Sequence, residues 1–281
     1  MEKYRLLRQK LLAEKYLHPK QIRQAPEIEL EDLLRAHTAD YVYGLKNNTL
    51  SEKQLKPIGL PWSEALWKRS LTSVGGFVAA CETALTLGLS GCLAGGTHHA
   101  HADRGEGYCV FNDFAVAALK LLQQKKIKHL LILDLDVHQG NGNSSLLGQH
   151  PQVFICSIHG RDNYPFRKVA SHLDVALEKG CDDTTYLKHL DKVLLQLSEH
   201  PFDFVMYQAG VDVLKEDVLG TFHLSQEGIF TRDKKVLSWC FEKRIPLAFA
   251  IGGGYSRPLE HTLDAYTQLF RAAQIVYSAP E

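Results

Sequence analysis

Residues 130–142 read LLILDLDVHQGNG. Asp134, Asp136 and His138 come at alternate positions after an apolar run. A short apolar run bounded by turn residues reads as a buried parallel strand. Side chains two apart on an extended chain point the same way. Two carboxylates and an imidazole therefore converge on one face at the strand's C-terminal end, where open α/β sheets place their ligands. Carboxylate and imidazole suit zinc or another divalent metal, and a catalytic site keeps one coordination position open. Gly140, Asn141 and Gly142 then break the strand and let backbone approach whatever sits there. The plainer alternative is that an aspartate caps a following helix and His138 is an ordinary loop histidine.

Other loops supply matching pieces. Residues 95–101, GGTHHAH, place His98 and His99 in a glycine-flanked loop after an apolar stretch, 89–94. Asp212 ends the AGVD that follows residues 204–208. Tyr255 ends the IGGGY that follows residues 246–250. Alone, each has a structural explanation: a loop histidine pair, a strand-end aspartate, an aromatic packed after a glycine turn.

The elements that must position these residues follow from periodicity. Residues 3–17 carry Leu7, Leu11 and Leu12 at helical spacing. Residues 30–45 read as helix interrupted around 37–40, and 46–62, with their prolines and asparagines, as a loop in which Ile58–Trp62 either serves as a binding loop or simply packs Trp62 on the surface. Residues 67–87 read as a long helix with Gly75, Gly76, Ala79 and Ala80 on one side for close packing. Asn112 and Asp113 lead into a helix over 114–122. Strands are expected at 89–94, 130–136, 153–157, 204–208 and 246–250. Helices are expected at 146–150, 185–197, 225–243 and 258–275, with a loop at 159–168 and a turn at 180–183. Strands alternating with helices predict an α/β fold, a mostly parallel sheet flanked by helices on both faces, with no linker to divide it. In such a sheet every loop that follows a strand shares one edge.

Composition narrows the classes. The 281 residues carry no net formal charge, so no global electrostatic case exists for nucleic acid or for an acidic membrane surface. No stretch was expected to reach the ~18 apolar residues of a membrane span, and the charged N-terminus lacks a signal-peptide core. Six scattered cysteines with no C-x-x-C pair predict reduced thiols and a cytoplasmic location. Oligomeric state is not readable.

GGTHHAHADRGEGYCVFND, DLDVHQGNG, YQAGVDVLKEDVLGTFHLS and IGGGY resemble, in order, the four signature segments of zinc-dependent histone deacetylases. The HQGNG and HHAHADRG forms resemble class IV members and their bacterial relatives. The resemblance implies a single-domain arginase/deacetylase fold and hydrolysis of an N-acyl amide, typically acyl-lysine in a protein or peptide. By matching positions it implies Zn2+ on Asp136, His138 and Asp212. It implies His98 and His99 as general acid/base pair, with Asp134 orienting His98 and Asn141 orienting His99. Tyr255 would donate to the oxyanion. Gly107 and Tyr108 would form one wall of the substrate tunnel and Tyr164 the other. A structural K+ near Asp134, Asp136 and Ser157 is implied as well.

The same constellation fits a small-molecule amidohydrolase of the acylpolyamine type, and a non-catalytic acyl-lysine binder is a third reading. A two-metal arginase-like enzyme would need more carboxylates than the motifs supply. Many deacetylases have Asp where this chain has Asn141. An amide orients an imidazole without adding charge, so His99 is expected to stay neutral near pH 7, ready to act as base. Asn141→Asp should move the pH optimum of the activity; an unchanged pH–rate profile would exclude this role.

Overall fold

The computed structural model describes residues 2–278. Its strands are β1 (Leu89–Cys92), β2 (Leu130–Asp134), β3 (Val153–Gly160), β4 (Leu173–Leu177), β5 (Phe204–Gln208) and β6 (Leu247–Ala250). Among the described residues they form one six-stranded sheet in the order β1-β6-β5-β2-β3-β4, and every neighbouring pair is parallel. The helices are α1 (Glu2–Ala13), α2 (Leu30–Leu33), α3 (Ala39–Lys46), α4 (Glu52–Leu55), α5 (Glu64–Leu87), α6 (Asp113–Gln123), α7 (Asn141–Leu147), α8 (Asp183–Leu197), α9 (Gln226–Glu242) and α10 (Glu260–Tyr277).

The apolar strands are buried on both faces, and their alternation divides the core. Leu131, Leu133, Val205, Tyr207, Leu247 and Phe249 point into one cluster, covered by α1, α8, α9 and α10. Leu130, Ile132, Phe204, Met206, Ala248 and Ala250 point into the other, covered by α5 and α6 with α2 and α3 outside them. Each fully buried side chain of this size contributes about 1.5–3 kcal/mol. Helix starts are set by side-chain caps: Ser63, Asn112, Asp182 and Ser225 each accept a backbone N–H from the first turn.

The strand order positions the site. From β2 the chain steps outward to β3 and β4, returns to β5 on the other side of β2, and continues to β6. The direction of winding reverses between β2 and β5. At such a reversal the loops diverge and leave a crevice at the C-terminal strand ends. The loops carrying Asp136, His138 and Asp212 leave from these two strands.

The structure departs from the sequence reading in several places. Strand β2 ends at Asp134, not 136. The alternation persists beyond it, because Leu135 and Val137 join the same cluster as Leu131 and Leu133. Helix α7 begins at Asn141, well before the expected 146. Strand β4 was not expected; it is an edge strand, half-exposed along most of its length. The 46–62 loop contains α4. Helix α5 corrects the expectation that no stretch approaches a membrane span, because it is long and apolar enough to cross one. Its composition has a local cause: Leu66, Leu71, Val74, Phe77 and Val78 are core residues. Gly75 also lies against the backbone of residues 26–28, as expected for its small-residue side; a Cβ there would stand 2.8 Å from the Ile28 nitrogen. All six cysteines are buried and unpaired.

The helix break expected around 37–40 falls at 34–38, separating α2 from α3. His37 is buried there. Its Nδ1 donates to the His101 carbonyl and its Nε2 accepts the Asn112 N–H, both at 2.9 Å. Only a neutral imidazole does both, and burial pulls its pKa down to about 4. The unfolded chain therefore binds a proton below pH ~6.5 that the folded chain refuses. This contribution to stability is complete above that pH and is lost as pH falls toward 4. His37→Gln keeps a donor and an acceptor without titrating. It should flatten the acid limb of the urea midpoint plotted against pH; an acid limb as steep as in the parent protein would remove His37 from the account.

Candidate metal and catalytic site

Asp136 and His138 lie on the loop between β2 and α7, and Asp212 on the loop after β5. One ligand atom from each lies within 4.8 Å of the others, and all three residues are buried. His138 Nδ1 is 3.1 Å from Asp136 Oδ1 and 3.1 Å from Asp212 Oδ2. Backbone fixes the far sides of the carboxylates: Val137 N–H donates to Asp212 Oδ1 and Gly253 N–H to Asp136 Oδ2, each at 2.9 Å. Burial and the charge of Asp136 push the Asp212 carboxyl above its ordinary range. Burial lowers the His138 pKa, but Asp136 and Asp212 outweigh it and hold it at about 10.

This donor set fits a divalent metal. Two buried carboxylates face each other across one imidazole nitrogen, an excess of negative charge that a dication neutralises. The pocket is also cut to shape. A Cβ on Gly253 would collide with Asp212 Oδ2, and one on Gly210 with Asp136 Oδ2.

The loop bearing His98 and His99 is tethered from below. Gly96 and Thr97 N–H donate to the Asp113 carboxylate at 2.7 and 2.8 Å. From above, Gly140 lies against His98, where a Cβ would stand 3.1 Å from the ring Nδ1. His98 Nδ1 is 2.7 Å from Asp134 Oδ2, and its Nε2 is 3.9 Å from Asp136 Oδ1. His99 Nδ1 is 2.8 Å from Asn141 Oδ1. The two rings lie 4.1 Å apart between centroids. Their environments separate them. Burial works against a charge on His98, but Asp134 and Asp136 override it and raise its pKa to about 9. Burial, then the neighbouring His98 and His138, hold His99 well below the ordinary imidazole range. One imidazole that favours the charged form and one that favours the neutral form thus sit side by side.

Aromatic rings flank the cluster. The Tyr164 ring is 5.0 Å from His99 and 6.3 Å from His138. Tyr108 is half-exposed and lies 6.3 Å from the Tyr255 ring. Gly107 and Tyr108 donate their N–H groups to the carbonyls of Pro57 and Ile58, so the 46–62 segment carries this wall. The charges of Asp212 and Asp136 reach the partly buried Tyr255 phenol, and desolvation first, then these charges, raise its pKa well above the ordinary value. Ser157 pairs with Asp134 in the β2–β3 register, and its Oγ is 2.9 Å from His159 Nδ1.

Several supporting residues carried no signal in the sequence reading. Asp217 accepts the Tyr255 N–H at 2.5 Å. Lys3, on α1, places its ammonium 4.8 Å from the Tyr255 ring centroid and donates to the Gly254 carbonyl at 3.3 Å. Glu106 accepts from Asn141 Nδ2 at 3.1 Å. Arg232 is fully buried on α9 and donates to the carbonyls of Leu135 and Gly210, joining from behind the two loops that carry the candidate metal ligands. A charged pair, Arg232–Asp233, inside the apolar period of a helix was the one available hint.

The histone deacetylase domain matches residues 1–272. The chain belongs to the histone deacetylase family. It is 31% identical to histone deacetylase 2 of Arabidopsis thaliana over 96% of this chain and 73% of that protein. It is 39% identical to an uncharacterized protein of Picosynechococcus, covering 99% of this chain and 93% of that one. Among solved structures, a histone deacetylase homologue from Aquifex aeolicus superposes with a TM-score of 0.84 at 26% identity, over 98% of this chain and 78% of that one. A histone deacetylase homologue in complex with SAHA gives 0.82 with the same identity and coverage. The single-domain arginase/deacetylase fold expected from the motifs is the fold observed, and a deacetylase-type hydrolase is what the family carries.

Arg232 makes its buried ion pair with Asp233 at 2.9 Å. Arg232→Met would leave Asp233 and two carbonyls uncompensated, and should destabilise the protein by about 3–5 kcal/mol. Replacing both charges, Arg232→Met with Asp233→Leu, should recover part of that. Urea denaturation reads both; a loss under about 1 kcal/mol in the single variant would show that the buried pair is not coupled to stability.

Proposed function

We propose that this protein is a zinc-dependent lysine deacylase that hydrolyses N-ε-acyl-lysine in proteins or peptides. The observation that carries this reading is the juxtaposition of Asp136, His138 and Asp212 with an imidazole pair of opposite protonation preference. A zinc ion held by those three residues would supply a Lewis acid for the acyl carbonyl and lower the pKa of water.

The remaining work falls to side chains. His99, kept neutral by burial, takes the proton of the attacking water. His98, kept protonated by Asp134, gives a proton to the departing lysine amine as the C–N bond breaks. Tyr255 remains a phenol and donates to the carbonyl oxygen as it gains charge. Tyr108 and Tyr164 flank the aliphatic stem of the lysine with apolar ring faces. The HQGNG context favours the class IV branch.

A cavity of about 370 Å³ lies beside Tyr255, with Gly95, Thr97, Cys92, Val110 and Tyr108 in its lining. Its lining includes Tyr108 and Tyr255 but none of Asp136, His138, Asp212, His98 and His99. An acyl chain longer than acetyl that passes between Tyr108 and Tyr255 would find room there.

The test is hydrolysis of lysine peptides carrying acetyl to long fatty acyl groups by zinc-loaded protein, with acylpolyamines in parallel. Peptides should be turned over, with the longer chains at least matching acetyl. Tyr255→Phe should keep zinc but lose turnover by about 10²–10³-fold, as removal of an oxyanion donor does. Turnover of polyamines alone would move the protein to small-molecule metabolism. Bound zinc with no turnover would leave an acyl-lysine binder, and full activity in Tyr255→Phe would refute that residue's role.

A further inference from the structure

Asn141 has two ends, and the chemistry of His99 depends on which end faces it. If the amide oxygen faces the ring, Nδ1 must carry the proton and Nε2 is free to act as base. If the amide nitrogen faces the ring, the tautomer reverses and the base is lost. An amide alone does not choose between these orientations.

We infer that Glu106 is a positioning residue: through Asn141 it fixes which nitrogen of His99 carries the proton, and through Tyr164 it ties that choice to the wall of the site. The inference rests on the deacylase reading above.

Asn141 Nδ2 lies 3.1 Å from Glu106 Oε1 and 3.2 Å from His101 Nε2. A carboxylate oxygen can only accept. His101 Nε2 accepts there in the tautomer that carries its proton on Nδ1. The Glu106 carboxylate takes up the amide N–H in either case, on the side away from His99. The amide oxygen is left 2.8 Å from His99 Nδ1, which must be the donor. A chain with Asp at position 141 needs no such device, because a carboxylate presents an acceptor in either orientation. With Asn141, something else must supply the acceptor, and Glu106 is that group.

Glu106 is built to stay in place. Its N–H donates to the Cys109 carbonyl at 3.0 Å and its own carbonyl accepts the Cys109 N–H at 2.9 Å. Its side chain is 21% exposed. The same Oε1 also accepts the Tyr164 hydroxyl at 2.5 Å. One oxygen therefore joins the tunnel wall to the orientation of the base.

The test reads the tautomer directly, in zinc-loaded protein labelled with 15N-histidine and without substrate. The His99 signals are assigned by their absence from His99→Phe. The parent protein should show His99 protonated at Nδ1. Glu106→Ala should give a mixture of tautomers, and kcat should fall with the share that loses the Nδ1 proton, about two- to tenfold for a share of about 50–90%. Glu106→Gln, nearly the same shape, should also give a mixture, because its amide presents either end. The deciding variant combines Glu106→Ala with Asn141→Asp. The aspartate accepts by itself, so the Nδ1 tautomer should return and kcat should rise above that of Glu106→Ala.

An unchanged tautomer in both Glu106 variants would overturn the proposal. So would a double variant no better than Glu106→Ala, which is what a mere brace for the loop predicts. Because the tautomer is read without turnover, failure to hydrolyse any acyl-lysine peptide would sink the activity and leave this inference to its own result.

Discussion

Everything in the site depends on keeping two carboxylates, Asp136 and Asp212, together away from water. Like charges at such short range repel, and burial strengthens the repulsion. The fold counters this with position and with partners. The reversal of winding between β2 and β5 brings the two loops side by side without a long excursion of either. Backbone N–H groups from Val137 and Gly253 then fix the outer oxygens. What stays unbalanced is the inner face, and that imbalance is the affinity for a cation.

A second layer of charge holds the first. Arg232 bridges the carbonyls of Leu135 and Gly210, one residue before Asp136 and two before Asp212. Asp134 faces His98, Asp113 holds the loop that bears both histidines, and Asp217 holds the backbone of Tyr255. His98, the loop that bears it and the Tyr255 backbone are thus each seated by a buried carboxylate from a different element. Such a network is demanding, because one missing partner leaves another group unpaired at about 1–3 kcal/mol, more for a charge.

The sheet was legible because strands covered on both faces are written as short apolar runs. Edge strand β4 was not, since its half-exposed residues carry no such run. The start of α7 was hidden by its own composition. GNGNSS reads as loop, and the helix forms there because tertiary bonds, such as Asn143 N–H to the His98 carbonyl, override propensity. The motifs pointed to Asp136, His138, Asp212 and the histidine pair, which the fold brings together, because they sit beside glycines at strand ends. Glu106 and Lys3 were silent, and Arg232 gave only the hint of a charged pair within a helix's apolar period. Their importance lies in what they touch across the fold, and a single sequence does not encode which distant residue a charge will meet.

Lys3 shows what that distance means for assembly. Its ammonium reaches Gly254 and Tyr266, 251 and 263 residues along the chain. Helix α1 packs on α10, so the first and last described helices are clasped behind Tyr255. Contacts of such long separation close late and slowly. Strand β1 pairs with β6 and with no other described strand, and the Gly253 N–H that fixes Asp136 follows β6. The sheet, the carboxylates and the Tyr255 loop therefore all wait on β6, and the loop gains its backing when α10 meets α1. The site closes as one unit: no shorter stretch of the described chain holds its carboxylates and its tyrosine loop together.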